Sequence, residues 1–293
     1  MTRASGVLGA SGLEMARRTA FLICVAALAI VAGVAAQQAP APFGKQRVTF
    51  KSGDLTLVGF LYKPEGKGPF PALVWNHGSE RNPGTTAQFD SVANIFVPAG
   101  YVVFAPMRRG HGNSEGTYIT DRVDQERTAH GPASALELVV RLLETEQLDD
   151  QIAGLEYLKH LDVVDTARLA VAGCSYGGIQ TLLGAERGAG YKAAIAISPA
   201  ALSWEGNPVL RDRLVRAVRK IDVPVMLLQP PKDASLGPSR VLGAEFNRLG
   251  KKYSGKIYPD TLPEEEQAHC FGGAKGMHVW AADAVAFLGA NVR

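Results

Sequence analysis

From residue 47 onward, short apolar runs alternate with segments whose apolar residues recur at helical spacing. RVTFKS and LTLVGFLYKP flank Gly53-Asp54, the signature of a β-hairpin. GKGPFP reads as a turn. PALVWNHG and YVVFAPM are apolar runs closed by polar loops, the pattern of buried strands. The spacing predicts a helix over 86–98, and either two helices or one broken helix over 132–160, with Gly154 inside. Arg168–Gly173 reads as a strand, Gly177–Arg187 as a helix and YKAAIAIS as a strand. A partly helical link over 201–220 follows, then the strand PVMLLQ, a helix Pro238–Gly250, the strand KKYSGKIY and a last helix over 279–289. A hairpin followed by repeated strand–helix units implies an α/β fold: a mostly parallel sheet of eight strands with helices on both faces. In such sheets, functional groups gather in the loops beyond the carboxyl ends of the strands.

The pattern changes before residue 47. Arg17 and Arg18 precede TAFLICVAALAIVAGVAA, and the polar pair Gln37-Gln38 follows. A basic start, an apolar stretch and small residues before a polar break describe a secretory signal peptide. The expected organisation is therefore a signal peptide over 1–36, cleaved after Ala36, a linker over 37–46 and one catalytic-sized domain over 47–293. The mature protein is expected to be secreted or periplasmic and free of the membrane. Cys24 lies inside the apolar run and not at its end, so lipidation is not expected.

At 46% hydrophobic and 20% charged, the chain has the composition of a folded globular protein and not of a disordered one. The formal net charge is +3; Arg3, Arg17, Arg18 and Glu14 account for +2 of it, which leaves +1 after residue 36. No run of Lys and Arg points to nucleic acid. Cys174 and Cys270 make no disulfide framework, and no Cys/His cluster has zinc spacing. Neither a metal nor a cofactor is implied.

Two stretches, GNSEG at 112–116 and GCSYG at 173–177, fit G-x-S-x-G. In a nucleophile elbow this pattern sits on a sharp strand-to-helix turn that exposes the serine hydroxyl. Ser175 has the strand RLAVAG before it, Gly173, Gly177 and Gly178 around it, and the helical stretch IQTLLGAER after it. Ser114 has a loop of glycine, arginine and asparagine before it and no clean apolar helix face after it. Ser175 is the expected nucleophile.

A serine hydroxyl needs a base, and the base needs an orienting acid. Asp233 lies in the loop after PVMLLQ, where a triad acid belongs, and Asp260 is the alternative one strand later. Two histidines follow Asp233. His269 lies in the glycine-flanked loop AHCFGG, and His278 at the start of the last helix, so His269 is the expected base. The oxyanion of a tetrahedral intermediate needs two backbone N–H groups. Tyr176, after the nucleophile, and Ser79, in the loop NHGSERNPG after the third strand, are the expected donors. The loop RRGHGNSEG borders the same pocket. Its Arg108, Arg109 or His111 either braces the loop through salt bridges, the favoured reading, or meets an anionic group of a substrate, for which Arg109 and His111 are the candidates.

NHGSE, RRGHGNSEG, GCSYGG, the PPKD loop and AHCF, in this order and at these spacings, resemble the α/β-hydrolase superfamily. The likeness is to its dienelactone hydrolase-like and prolyl oligopeptidase-related members, and it covers about residues 47–290. It implies an α/β-hydrolase fold and a Ser–Asp–His hydrolase of esters, lactones or short peptides, with Ser175, Asp233 and His269 as the triad and Ser79 and Tyr176 at the oxyanion site. Dienelactone hydrolases carry cysteine at the nucleophile position, which is Ser175 here, so dienelactone is not the expected substrate. No N-terminal β-propeller of the prolyl oligopeptidase kind is read from this sequence, and the link over 201–220 is too short for a large lid, which makes the expected cap minimal. The expected activity is hydrolysis of a small carboxylic ester. The alternatives are a peptidase or amidase, and a non-catalytic binding protein on the same fold. Cys174 and Cys270 each adjoin a triad residue. Two free, buried thiols are expected there rather than a disulfide.

Overall fold

The computed structural model describes residues 42–293 apart from Thr86. The expected signal peptide and most of the expected linker lie outside these residues. Eight strands form one sheet: β1 (Gln46–Ser52), β2 (Leu55–Tyr62), β3 (Phe70–Asn76), β4 (Val102–Pro106), β5 (Val164–Cys174), β6 (Tyr191–Ile197), β7 (Val225–Gln229) and β8 (Tyr253–Ile257). Their spatial order is β1-β2-β4-β3-β5-β6-β7-β8. β2 runs antiparallel to both β1 and β4, and every other pairing is parallel. The sheet is therefore mostly parallel, as the alternating pattern implied.

β4, β6 and β7 carry near-continuous apolar runs because helices cover both of their faces. Successive side chains then feed two separate cores. Val74, Val171, Ala194 and Leu227 point into one; Leu73, Trp75, Ala172, Ile195 and Leu228 point into the other. The first core is closed by α2 (Ile119–Glu144), α3 (Glu146–Lys159), α4 (Tyr176–Arg187), α5 (Pro208–Lys220) and α6 (Gly243–Arg248). The second is closed by α1 (Gln88–Phe96) and α7 (Met277–Asn291), where Trp280 stacks on Trp75 with ring centroids 6.1 Å apart.

Some elements differ from the sequence expectation. Helix begins at Ile119, earlier than read, and α2 is broken at Gly131, whose φ is 87° and ψ 174°. The first arm of α2 escaped notice because only Ile119 and Val123 of it are buried. β5 starts at Val164, ahead of Arg168, with exposed residues at its outset. The helix expected over 238–250 is a wide turn at Pro238–Leu242 leading into the short α6.

What this layout does for function follows from the strand order. From β5 the chain builds outward through β6, β7 and β8, while β4 and β2 lie on the other side of β3. The order reverses between β3 and β5, so a crevice opens beyond the carboxyl ends of those two strands. Ser79 follows β3, and Ser175 follows β5.

Candidate active site

Ser175 sits between the last residue of β5 and the first of α4, with φ 59° and ψ −120°. A non-glycine residue at positive φ is strained, and such strain persists only where the surroundings impose it. Here they do. A side chain at Gly177 would place its Cβ 1.9 Å from the carbonyl oxygen of Asn76, and one at Gly173 would lie 2.6 Å from the same oxygen. The glycines let the start of α4 press against the end of β3. The Ser175 N–H also donates to the Ile197 carbonyl of β6, at 3.0 Å. Tyr176 is the first residue of α4, so its N–H is among those a helix cannot satisfy internally.

The acid and base come from the next two loops outward. Asp233 lies in the loop after β7 with a fully buried carboxylate. Its Oδ1 accepts from His269 Nδ1 at 2.7 Å and from the Ala234 N–H at 2.8 Å, and its Oδ2 accepts from Gln229 Nε2 at 3.0 Å. With Nδ1–H committed to Asp233, the other ring nitrogen of His269 is the one left to accept a proton. That Nε2 atom is shielded from solvent and has no protein partner. His269 is held in turn by its neighbours. The Cys270 N–H donates to Ser198 Oγ at 3.3 Å, and the Lys232 N–H donates to the Gln267 carbonyl at 2.9 Å. Asp260 is exposed beyond β8. His278 is exposed on α7 and donates from Nδ1 to the Lys275 carbonyl at 2.9 Å.

Cys174 and Cys270 form a disulfide, with Cα atoms 6.2 Å apart. This corrects the expectation of two free thiols. The bond ties the residue before Ser175 to the residue after His269, and so brings the two candidate catalytic residues to one place.

The loop after β3 is built on a buried cation. Arg108 is 1% exposed. Its Nη1 donates to the His77 carbonyl at 2.9 Å, its Nη2 to the Gly78 carbonyl at 2.6 Å, and its Nε to Gln147 Oε1 at 3.1 Å. His77 accepts at Nε2 from the Arg108 N–H, 3.2 Å away, which leaves Nδ1–H to donate to the Gly78 carbonyl at 2.9 Å. A trans peptide points its C=O and N–H in opposite directions. Gripping the Gly78 carbonyl from two sides therefore fixes where the Ser79 N–H points. Tyr118 adds a bond from its hydroxyl to the Ser79 carbonyl.

The electrostatics of this cluster follow from burial. Desolvation, with the charge of Arg108, pushes His77 well below the usual histidine range and His111 down to about 3. Desolvation brings Arg108 itself down to about 10, and Tyr176 up to about 12.

Arg109 and His111 brace the loop, the reading favoured from the sequence. The Arg109 guanidinium meets both oxygens of Asp150, at 2.7 and 2.9 Å, and reaches Glu146 at 3.2 Å. His111 is fully buried against His77 and Tyr118. Ser114 is structural too: its hydroxyl donates to the Met107 carbonyl at 2.8 Å and accepts from the Val58 N–H at 2.9 Å. Sequence reasoning left the central role of Arg108 unassigned. Its position, two residues beyond the end of an apolar strand, was the one signal of it. Among the described residues, no group of His, Cys, Asp and Glu could hold a metal ion, and no helix is long and apolar enough to cross a membrane.

Residues 136–205 match the model of the prolyl oligopeptidase family, a segment that runs from α2 through the Ser175 turn to the loop after β6. The match takes in about a quarter of the chain and marks a likeness to that family around the Ser175 turn. The α/β-hydrolase fold of the chain recurs in solved structures. The chain superposes on the acylaminoacyl peptidase of Pyrococcus horikoshii with a TM-score of 0.62 and 19% identity, over 85% of this chain and 42% of that one. It superposes on the Pyrococcus furiosus esterase Pf2001 with a TM-score of 0.64 and 16% identity, over 86% of this chain and 94% of the esterase. Est1E of Butyrivibrio proteoclasticus, solved with ferulic acid bound, gives a TM-score of 0.63 and 17% identity, over 84% and 99% of the two chains. In sequence, the chain is 29% identical over 132 residues to the quorum-quenching protein AidA of Acinetobacter baumannii. That match takes in 45% of this chain and 36% of AidA, so it spans about a third of that relative's length.

Proposed function

We propose that this protein is an exported serine hydrolase that cleaves a small carboxylic ester through an acyl-enzyme on Ser175. The observation that carries the reading is the 2.7 Å bond from His269 Nδ1 to Asp233, on a loop that the Cys174–Cys270 disulfide ties to the Ser175 turn. His269 Nε2 takes the proton of Ser175 as its oxygen attacks the ester carbonyl. Asp233 holds the ring in the required tautomer and stabilises the imidazolium that forms. The oxyanion of the tetrahedral intermediate is met by the N–H groups of Tyr176 and Ser79. His269 returns the proton to the leaving alcohol, and water then repeats the sequence in reverse on the acyl-enzyme.

The ester reading is supported by the likeness in fold to the Pyrococcus furiosus esterase Pf2001. The family match favours a second reading, hydrolysis of a short peptide or acylated amino acid. Export rests on the leader-like residues 17–36 and on the disulfide, a bond that persists in oxidising compartments.

The test is labelling by a fluorophosphonate, with the adduct located by mass spectrometry. The expected result is one adduct on Ser175 that is lost in His269→Ala. No adduct overturns the triad and returns the protein to the non-catalytic reading, and an adduct on Ser114 overturns it in favour of a different site. Rates on matched ester and anilide substrates then separate esterase from peptidase.

A further inference from the structure

A cavity of about 380 Å³ opens where α2 bends. Val123 comes from the first arm of α2; Ala135, Leu136 and Val139 come from the second; Tyr176 and Ser203 add to the wall. The bend itself creates the space. Gly131 takes a φ of 87° and Pro132 follows it, so the helix is interrupted and both arms face one hollow. The arms are pinned across the break by Glu126, which accepts from the Ser134 hydroxyl and lies 3.2 Å from His130 Nδ1.

Val123, Ala135, Leu136 and Val139 give the wall an aliphatic stretch, with the polar groups of Thr120, Ser203 and Asn207 around it. Arg127 and Asp124 also line it but pair with each other at 2.7 Å, so the wall offers no uncompensated charge. Tyr176 joins the cavity to the reaction: its side chain lines the wall, and its backbone follows Ser175.

We infer that this cleft binds the acyl chain of the substrate and sets its length. The inference rests on the esterase reading above. The choice of the acyl side comes from the geometry of proton return. His269 must protonate the leaving alcohol, so that group lies toward the His269 loop. No residue of the Asp233 or His269 loops lines the cleft, which therefore lies on the other side of the carbonyl. At about 30 Å³ per water-sized unit, the cavity takes an apolar group of up to about twelve non-hydrogen atoms. A medium-length aliphatic acid, of about six to eight carbons, matches both the size and the lack of charge.

The experiment compares kcat/KM for 4-nitrophenyl acetate, butyrate, hexanoate and octanoate. Burying a methylene is worth about fourfold, so hexanoate exceeds acetate by up to about 200-fold. Leu136→Trp fills the cleft and is expected to cut the hexanoate-to-acetate ratio at least tenfold. Leu136→Ala enlarges it and is expected to move the preferred chain toward octanoate. Binding is read separately in the Ser175→Ala protein, with hexyl 4-nitrophenyl ether, which has no ester bond to cleave. If Leu136→Trp weakens ether binding at least tenfold while no ester is turned over by the unsubstituted protein, the cleft stands and the esterase reading falls. If esters are cleaved with a ratio that neither substitution moves, or if the ether fails to bind or binds the variants equally, the cleft is overturned.

Discussion

Removing the Cys174–Cys270 disulfide tests how the site is held together. The bond closes a loop with a sequence separation of 96 residues. Its main effect is to restrict the unfolded chain, and for a loop near 100 residues that restriction is worth about 4.7 kcal/mol. In a domain of this size, each kcal/mol moves the melting temperature by about 2–4 °C, so the loss amounts to roughly 9–19 °C. The perturbation is the double variant Cys174→Ala/Cys270→Ala, with thiol titration of the parent protein to confirm the bond. The assay is thermal unfolding followed by circular dichroism, checked by guanidinium midpoints. The effect on activity at 25 °C is expected to be smaller, about tenfold or less. The His269 loop keeps two ties without the bond: the Cys270 N–H to Ser198, and the Lys232 N–H to Gln267. A melting temperature within about 3 °C of the parent would refute the reasoning on stability, because the closed loop would then constrain nothing in the unfolded chain.

Arg108→Lys replaces a planar fork by a point charge and releases the Gly78 carbonyl; kcat on an acetate ester is expected to fall by about 10- to 100-fold with KM little changed, since loss of a single oxyanion donor costs about 100-fold or more. Steady-state kinetics that leave kcat within threefold would remove Arg108 from any role in catalysis. Ser114→Ala leaves the buried Val58 N–H and Met107 carbonyl without their shared partner and should cost about 1–3 kcal/mol in chemical denaturation, with fluorophosphonate labelling of Ser175 intact. The buried histidines His77 and His111 bind protons more weakly when folded than unfolded, so their stabilisation is complete above the unfolded pKa of about 6.5 and is lost as pH falls toward the folded values, near 3 for His111. Each histidine contributes a slope of up to about 1.4 kcal/mol per pH unit over that range. His111→Asn should flatten the acid limb of a stability–pH profile, and an unchanged slope would contradict the burial argument.

The fold was legible where one physical constraint dominates the residue pattern. β3, β4, β6 and β7 are enclosed by helices and carry unbroken apolar runs. The Ser175 turn was legible because close approach of β3 and α4 demands glycine at 173 and 177. Its helix and the loops of Asp233 and His269 then followed from the order of elements. The first arm of α2 was not legible, since only Ile119 and Val123 of it reach the core and the rest of its residues are polar or exposed. The disulfide was hidden because pairing depends on how loops 96 residues apart meet in space. Arg108 was legible as a brace but not in its partners, which are two backbone carbonyls and Gln147 instead of a carboxylate, and carbonyls leave no trace in a sequence.

The buried guanidinium of Arg108 also divides the molecule into a part that resists change and a part that tolerates it. Its donors all lie beneath the loop after β3, and they aim that loop before any substrate arrives. Nothing in this arrangement draws on the bent helix α2 or on the loop after β6, apart from the Tyr118 hydroxyl at the entrance to α2. On the proposal that the cleft holds the acyl chain, substitutions along its wall alter which acids are accepted, while the loop that Arg108 aims stays as folded. A protein built this way would acquire new substrates by changing side chains on one kinked helix, without rebuilding its chemistry.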